Sequence, residues 1–103
     1  MMSNGDSPVK QSMIERKLRE NGDEIKRARE ELRIAVEQLD HFRDDAESAR
    51  LRAMASETPL AEQEHREAAR HADKMQRHHD ELNERIVGLE LRQDELLDEM
   101  MGS

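Results

Sequence analysis

The sequence predicts an all-α protein, a two-helix antiparallel coiled-coil hairpin. Three observations carry that expectation. Apolar and small residues recur at alternating steps of four and three along two separate stretches, the period of a helical seam and not of a strand. A Thr-Pro step between the stretches has the chemistry of a helix start. The two seams also complement each other when the chain is folded back at that step. Composition agrees: charged residues make up 41% of the 103-residue chain and aromatics 1%. That is too little bulk for a broad globular core, but it suits long helices with a narrow buried face.

Residues 1–8 form a polar lead with Gly5 and Pro8, expected to be disordered. Helix one is expected over about 9–55. Its seam reads Ile14, Leu18, Asn21, Ile25, Ala28, Leu32, Ala35, Leu39, Phe42, Ala46, Ala49 and Ala53. Asn21 is its single polar member, and Gly22 and Asp23 follow at once, so a local weak point is expected there. The pattern stops at 56–58, the expected turn. Proline disrupts a helix interior but fits the first helical position, and Thr58 before it is a good N-cap. Helix two is expected over about 59–101, with Glu62 and Glu64 placing negative charge near its positive end. Its seam reads Ala61, His65, Ala68, Ala72, Met75, His79, Leu82, Ile86, Leu89, Gln93, Leu96 and Met100. The first seam would have reached position 60 next, so the phase breaks and one unbroken helix is disfavoured.

Folding back at the turn pairs residues whose indices have a constant sum. Ile14 then faces Met100, Leu18 faces Leu96, Ile25 faces Leu89, Leu32 faces Leu82 and Leu39 faces Met75. Sizes complement, with Phe42 against Ala72 and Ile86 against Ala28, as close packing requires. Asn21 falls opposite Gln93. A paired polar layer fixes register and orientation at some cost in stability, so these two are the expected register pair. The hairpin should measure roughly 60 Å at 1.5 Å per residue. The layers nearest the turn, Ala46/Ala68, Ala49/His65 and Ala53/Ala61, bury little area and should be weakly held.

The formal net charge of −8 is uneven. Residues 1–52 hold 11 Lys/Arg and 12 Asp/Glu, and residues 53–103 hold 6 and 13. An acidic second half argues against general nucleic-acid binding, which needs phosphates neutralised. The basic cluster Arg16, Lys17, Arg19, Lys26, Arg27, Arg29 and Arg33 is interleaved with acids. It reads first as a solvated helix face and second as a surface for a phosphate-bearing ligand. Without cysteine there is neither a disulfide nor a thiolate site. Of the histidines, His71 and His78 share a face but lie about 10 Å apart along the axis. His65 and His79 occupy the seam opposite alanine, where burial opposes protonation. The expectation is no metal, no cofactor and no enzyme activity.

Several apolar residues fall off the seams: Ile34, Val36, Leu51, Val87, Leu91, Leu97 and Met101. Val87 with Leu91, and Leu97 with Met101, are four apart and form stripes. Stripes of this kind are buried when a hairpin dimerises into a four-helix bundle. No apolar run approaches the ~20 residues that span a bilayer, and Met1 to Pro8 has no apolar signal-peptide core. A cytoplasmic location is therefore expected.

The stretch Pro59-Leu60-Ala61-Glu62-Gln63-Glu64-His65-Arg66-Glu67-Ala68-Ala69 resembles the tip of the N-terminal coiled coil of Gre-type transcript-cleavage factors, whose pattern is G-D-L-S-E-N-x-x-Y-x-A-A. Leu60, Glu62, Ala68 and Ala69 match in type, and Gln63 stands where the family has Asn. Pro59 stands where the family has its tip Asp, with Glu57 nearby. The resemblance covers about eleven residues. It implies a hairpin whose tip, Met54 to Glu64, reaches into RNA polymerase, where the family's acids help hold a catalytic Mg²⁺. The missing Asp leaves the cleavage activity itself unsupported, and a chain without the family's C-terminal globular domain is expected. The whole chain also resembles small Arg/Glu/Ala-rich coiled-coil proteins of high-GC actinobacteria. Two functional expectations follow. The first is a coiled-coil adaptor or scaffold that self-associates and binds a partner protein. The alternative is a transcription regulator that inserts its tip, with Met54, Glu57, Leu60 and Glu62 as contacts.

Overall fold

The computed structural model describes residues 8–102. The expected lead therefore lies outside the described residues, apart from Pro8. Pro8 begins helix α1 (Pro8–Ser56) instead of preceding it. The reason is local: at a first helical position the missing N–H costs nothing and the fixed φ is already helical. Helix α2 (Pro59–Met100) follows. The two form an antiparallel hairpin, and no strand occurs among the described residues. Asn21, Gly22 and Asp23, expected to weaken α1, leave it unbroken.

Only Glu57 and Thr58 separate the helices, so Ser56, expected in the turn, completes the last turn of α1. Its hydroxyl donates back to the Arg52 carbonyl four residues earlier, as a serine inside a helix does. Glu57 takes a left-handed conformation with φ of 51°, and its N–H donates to the Ala53 carbonyl at 3.0 Å. This is the usual way a helix closes, but glycine normally does it, because a Cβ costs energy there. Thr58 then caps α2. Its Oγ1 accepts from the Ala61 N–H at 3.2 Å, and its carbonyl accepts from the Glu62 N–H at 3.1 Å. At the other end of α2, Met101 lies outside the helix. Its N–H closes the last turn onto the Leu97 carbonyl at 2.9 Å, before Gly102 at a φ of +119°.

Every residue assigned to either seam is buried or half-buried. The described chain falls into two compact units. The terminal unit pairs α1 up to Glu30 with α2 from Glu84 onward, and the turn unit is Glu31–Asn83. The terminal unit buries Ile14, Ile25, Ala28, Ile86 and Leu96 together with Asn21. The turn unit buries Ala35, Leu39, Ala49, Ala53, Ala61 and Leu82. Half-buried Phe42, His65, Met75 and His79 fill in around them. Taken singly, a fully buried Leu or Ile is worth ~1.5–3 kcal/mol, and Ala much less.

Candidate interaction surfaces

In the terminal unit the Asn21 amide lies inside the seam and is satisfied twice. Its Nδ2 donates to Gln93 Oε1 at 2.9 Å and to the Leu89 carbonyl at 2.8 Å. The expected amide pair is thus in contact, and a backbone bond is added that no residue pattern announces. No buried side-chain N or O among the described residues lacks a partner. Ion pairs flank the seam on both sides, Arg29 with Glu90 at 3.6 Å and Arg85 with Glu24 at 3.9 Å. All four groups are exposed enough that such pairs guide register more than they add stability.

Beside the amide pair a shallow groove runs along the terminal unit. Gly22, Lys26 and Arg29 of α1 form one wall, and Glu90 and Asp94 of α2 form the other. A Cβ on Gly22 would meet nothing within 4 Å. The candidate stripe residues of α2 lie in the same unit. Val87, Leu91, Leu97 and Met101 are 57%, 59%, 36% and 80% exposed.

In the turn unit, Met54 and Leu60 are exposed, as are Glu57 and Glu62. The four candidate tip contacts therefore sit around the turn with their side chains in solvent. Arg50 grips Glu47 through two nitrogens, at 2.6 and 3.0 Å, one turn earlier. That hydrogen bond holds the Glu47 carboxyl below its ordinary value and raises Arg50.

Further from the turn, Phe42 is half-buried in the seam. Its ring meets His71 edge-on with centroids 5.9 Å apart, and meets His41 at 5.8 Å. Phe42, His71, Met75 and His78 line a second groove. A polar chain ties the two helices at the surface. Arg43 donates to Gln76 Oε1, and Gln76 donates to Asp80 Oδ1 at 3.0 Å. His79 Nδ1 lies 3.1 Å from the same Asp80 oxygen, and Asn83 Nδ2 lies 3.5 Å from His79 Nε2. One tautomer satisfies both contacts, with the proton on Nδ1. The His79 bond, then the Gln76 bond, hold the Asp80 carboxyl below its ordinary value. Reading the seams missed this network because its members, His79 apart, lie outside them. The i, i+4 spacing of Gln76 and Asp80 was the available signal.

Among the described residues no group of three His, Cys, Asp or Glu is placed to hold a metal ion. No helix among them is long and apolar enough to cross a membrane. Comparison with protein-family models, with curated proteins and with solved structures finds no match.

Proposed function

We propose that this chain is a non-enzymatic coiled-coil adaptor or scaffold that self-associates and binds a partner protein, without a cofactor. The observation that carries the reading is the division of apolar residues. The seams are consumed by the hairpin's own packing, while Val87, Leu91, Leu97 and Met101 remain exposed in one unit. Large apolar side chains left in solvent along one helix are ordinarily there to be covered. A protein partner suits such a surface better than nucleic acid or a bilayer, and the cytoplasm is the location we propose with it. Sedimentation equilibrium tests the first half of the reading. The full chain should associate in the micromolar range, and Leu91→Glu combined with Leu97→Glu should leave it monomeric and still helical. A chain that stays monomeric at every concentration removes self-association from the reading.

A second reading is a regulator that inserts its turn into RNA polymerase. It is favoured by one feature: Met54 and Leu60 stand exposed on either side of a turn held at a left-handed glutamate. Titrating the labelled chain with purified core polymerase should then give saturable binding that Met54→Ser with Leu60→Ser abolishes. Binding that survives that variant would place any contact elsewhere.

A further inference from the structure

The groove beside the Asn21–Gln93 pair lies between two stripes with their own heptad spacing. On α1 the stripe is Arg19, Gly22, Lys26 and Arg29, at steps of three, four and three. On α2 it is Val87, Glu90, Asp94, Leu97 and Met101, at steps of three and four in alternation. Each stripe sits one position beyond its seam, where a second helix layer would pack. Their chemistry is opposite. One is cationic with a gap at glycine, and the other is apolar and acidic. The imbalance extends through the unit. Over 8–30, α1 carries 7 Lys/Arg against 5 Asp/Glu, and over 84–102, α2 carries 2 against 6.

We propose that a second copy of this chain docks on this face as an isologous dimer, with α1 of each copy lying along α2 of the other. The inference rests on the self-association reading above and adds the surface and the arrangement. Charge complementarity selects the arrangement. Laying α1 on α1 would set Arg19, Lys26 and Arg29 against themselves, and α2 on α2 would oppose Glu90 and Asp94. Crossing the pairs places each cationic stripe on an acidic one, and two-fold symmetry makes the contact twice. The aliphatic stems of Arg19 and Lys26 then cover Leu97 and Val87, while their heads reach carboxylates.

Gly22 supports close approach. A glycine inside a helix costs about 1 kcal/mol relative to alanine, and here the hairpin's own packing does not demand it, since an added Cβ would have open space. Its helical backbone does not demand it either, because the left-handed φ values lie at Glu57 and Gly102. What Gly22 provides is a hollow in the α1 stripe beside the groove. A neighbouring helix can sit closer there than any side chain would allow.

The test uses Lys26→Glu and Asp94→Lys in the full chain, which leave the Arg29–Glu90 pair in place. Sedimentation equilibrium should show each variant dimerising about tenfold more weakly than the wild type. An equimolar mixture of the two should recover association as a heterodimer, because each acidic α1 then meets a basic α2 and each native α1 meets a native α2. Raising the salt should weaken the wild-type dimer and the mixed one alike. Gly22→Gln supplies a readout independent of charge: it should raise the thermal midpoint of the dilute monomer while weakening the dimer. A dimer indifferent to all three substitutions would overturn the proposed face and leave self-association standing. A wild-type chain that never associates would overturn both.

Discussion

The terminal unit and the turn unit share one pattern and differ in what fills it. The terminal unit sets Ile14, Ile25, Ile86 and Leu96 in its core around a doubly bonded amide. The turn unit buries Leu39 and Leu82, and closer to the turn its buried core is Ala49, Ala53 and Ala61. Identical periodicity therefore yields unequal holding energy, because periodicity decides which face is buried and side-chain size decides how much burial is worth. The turn unit offsets part of the difference outside its seam, through the Thr58 cap, the Phe42–His71 edge contact and the chain from Arg43 to Asn83. These are exposed or half-exposed interactions, which solvent competition keeps weak.

The widest expected gap is dynamic. In the free protein, amide hydrogen exchange over residues 46–68 should run about a hundredfold faster than around Ile25 and Leu89. Uniform protection along both helices would break the comparison. In stability, Leu96→Ala should cost about 3 kcal/mol in a urea melt, because Leu96 is 1% exposed. Ala61→Gly should cost only about 1 kcal/mol. Equal losses would mean that the alanine layers carry more than their area suggests.

Next comes the polar layer of the terminal unit. Asn21→Leu with Gln93→Leu should raise the denaturation midpoint by an amount equivalent to about 1–2 kcal/mol, and should admit oligomers other than the native one. Gln93→Leu alone should change little, since Asn21 keeps its bond to the Leu89 carbonyl. A clear loss in the double variant would show that the two amide bonds outweigh the apolar area they displace.

At the turn, Glu57→Gly should stabilise by roughly 0.5–1 kcal/mol in thermal melts. It removes the Cβ strain at a φ of 51° and gives back part of that gain as unfolded-state entropy. A loss would indicate that the glutamate side chain makes a contact worth more than the strain. The smallest expected effect is acid sensitivity. Glu47 and Asp80 are held below their ordinary values by their bonds to Arg50 and His79. Their contributions are thus complete above the ordinary carboxylate range and are lost as pH falls through the depressed folded values. Both groups are in the turn unit. Ellipticity below about pH 4 should therefore fall slightly less in Glu47→Gln with Asp80→Asn than in the wild type. An identical acid limb would show that solvent screening removes the coupling.

The sequence by itself determined the two seams, the break at Thr58-Pro59 and the register that sets Asn21 against Gln93. Heptad spacing is a property of each helix alone, so the buried face follows without knowing the partner. Thr-Pro acts through local chemistry, and the register follows from two regular patterns meeting at one turn. Tertiary structure decided what lies one atom further out. The second Asn21 bond goes to a backbone carbonyl, which every residue carries and no pattern distinguishes. The edge-on contact of Phe42 with His71 is of the same kind, because a ring's reach depends on its rotamer and on the neighbour's. The choice of Arg29 for Glu90 and of Arg85 for Glu24, among many charges of either sign, depends on the few ångströms by which two facing helices rotate against each other. The left-handed Glu57 belongs to the same class: only the closing of the chain on itself requires a reversal within two residues, and a glutamate accepts there the conformation a glycine would have taken freely.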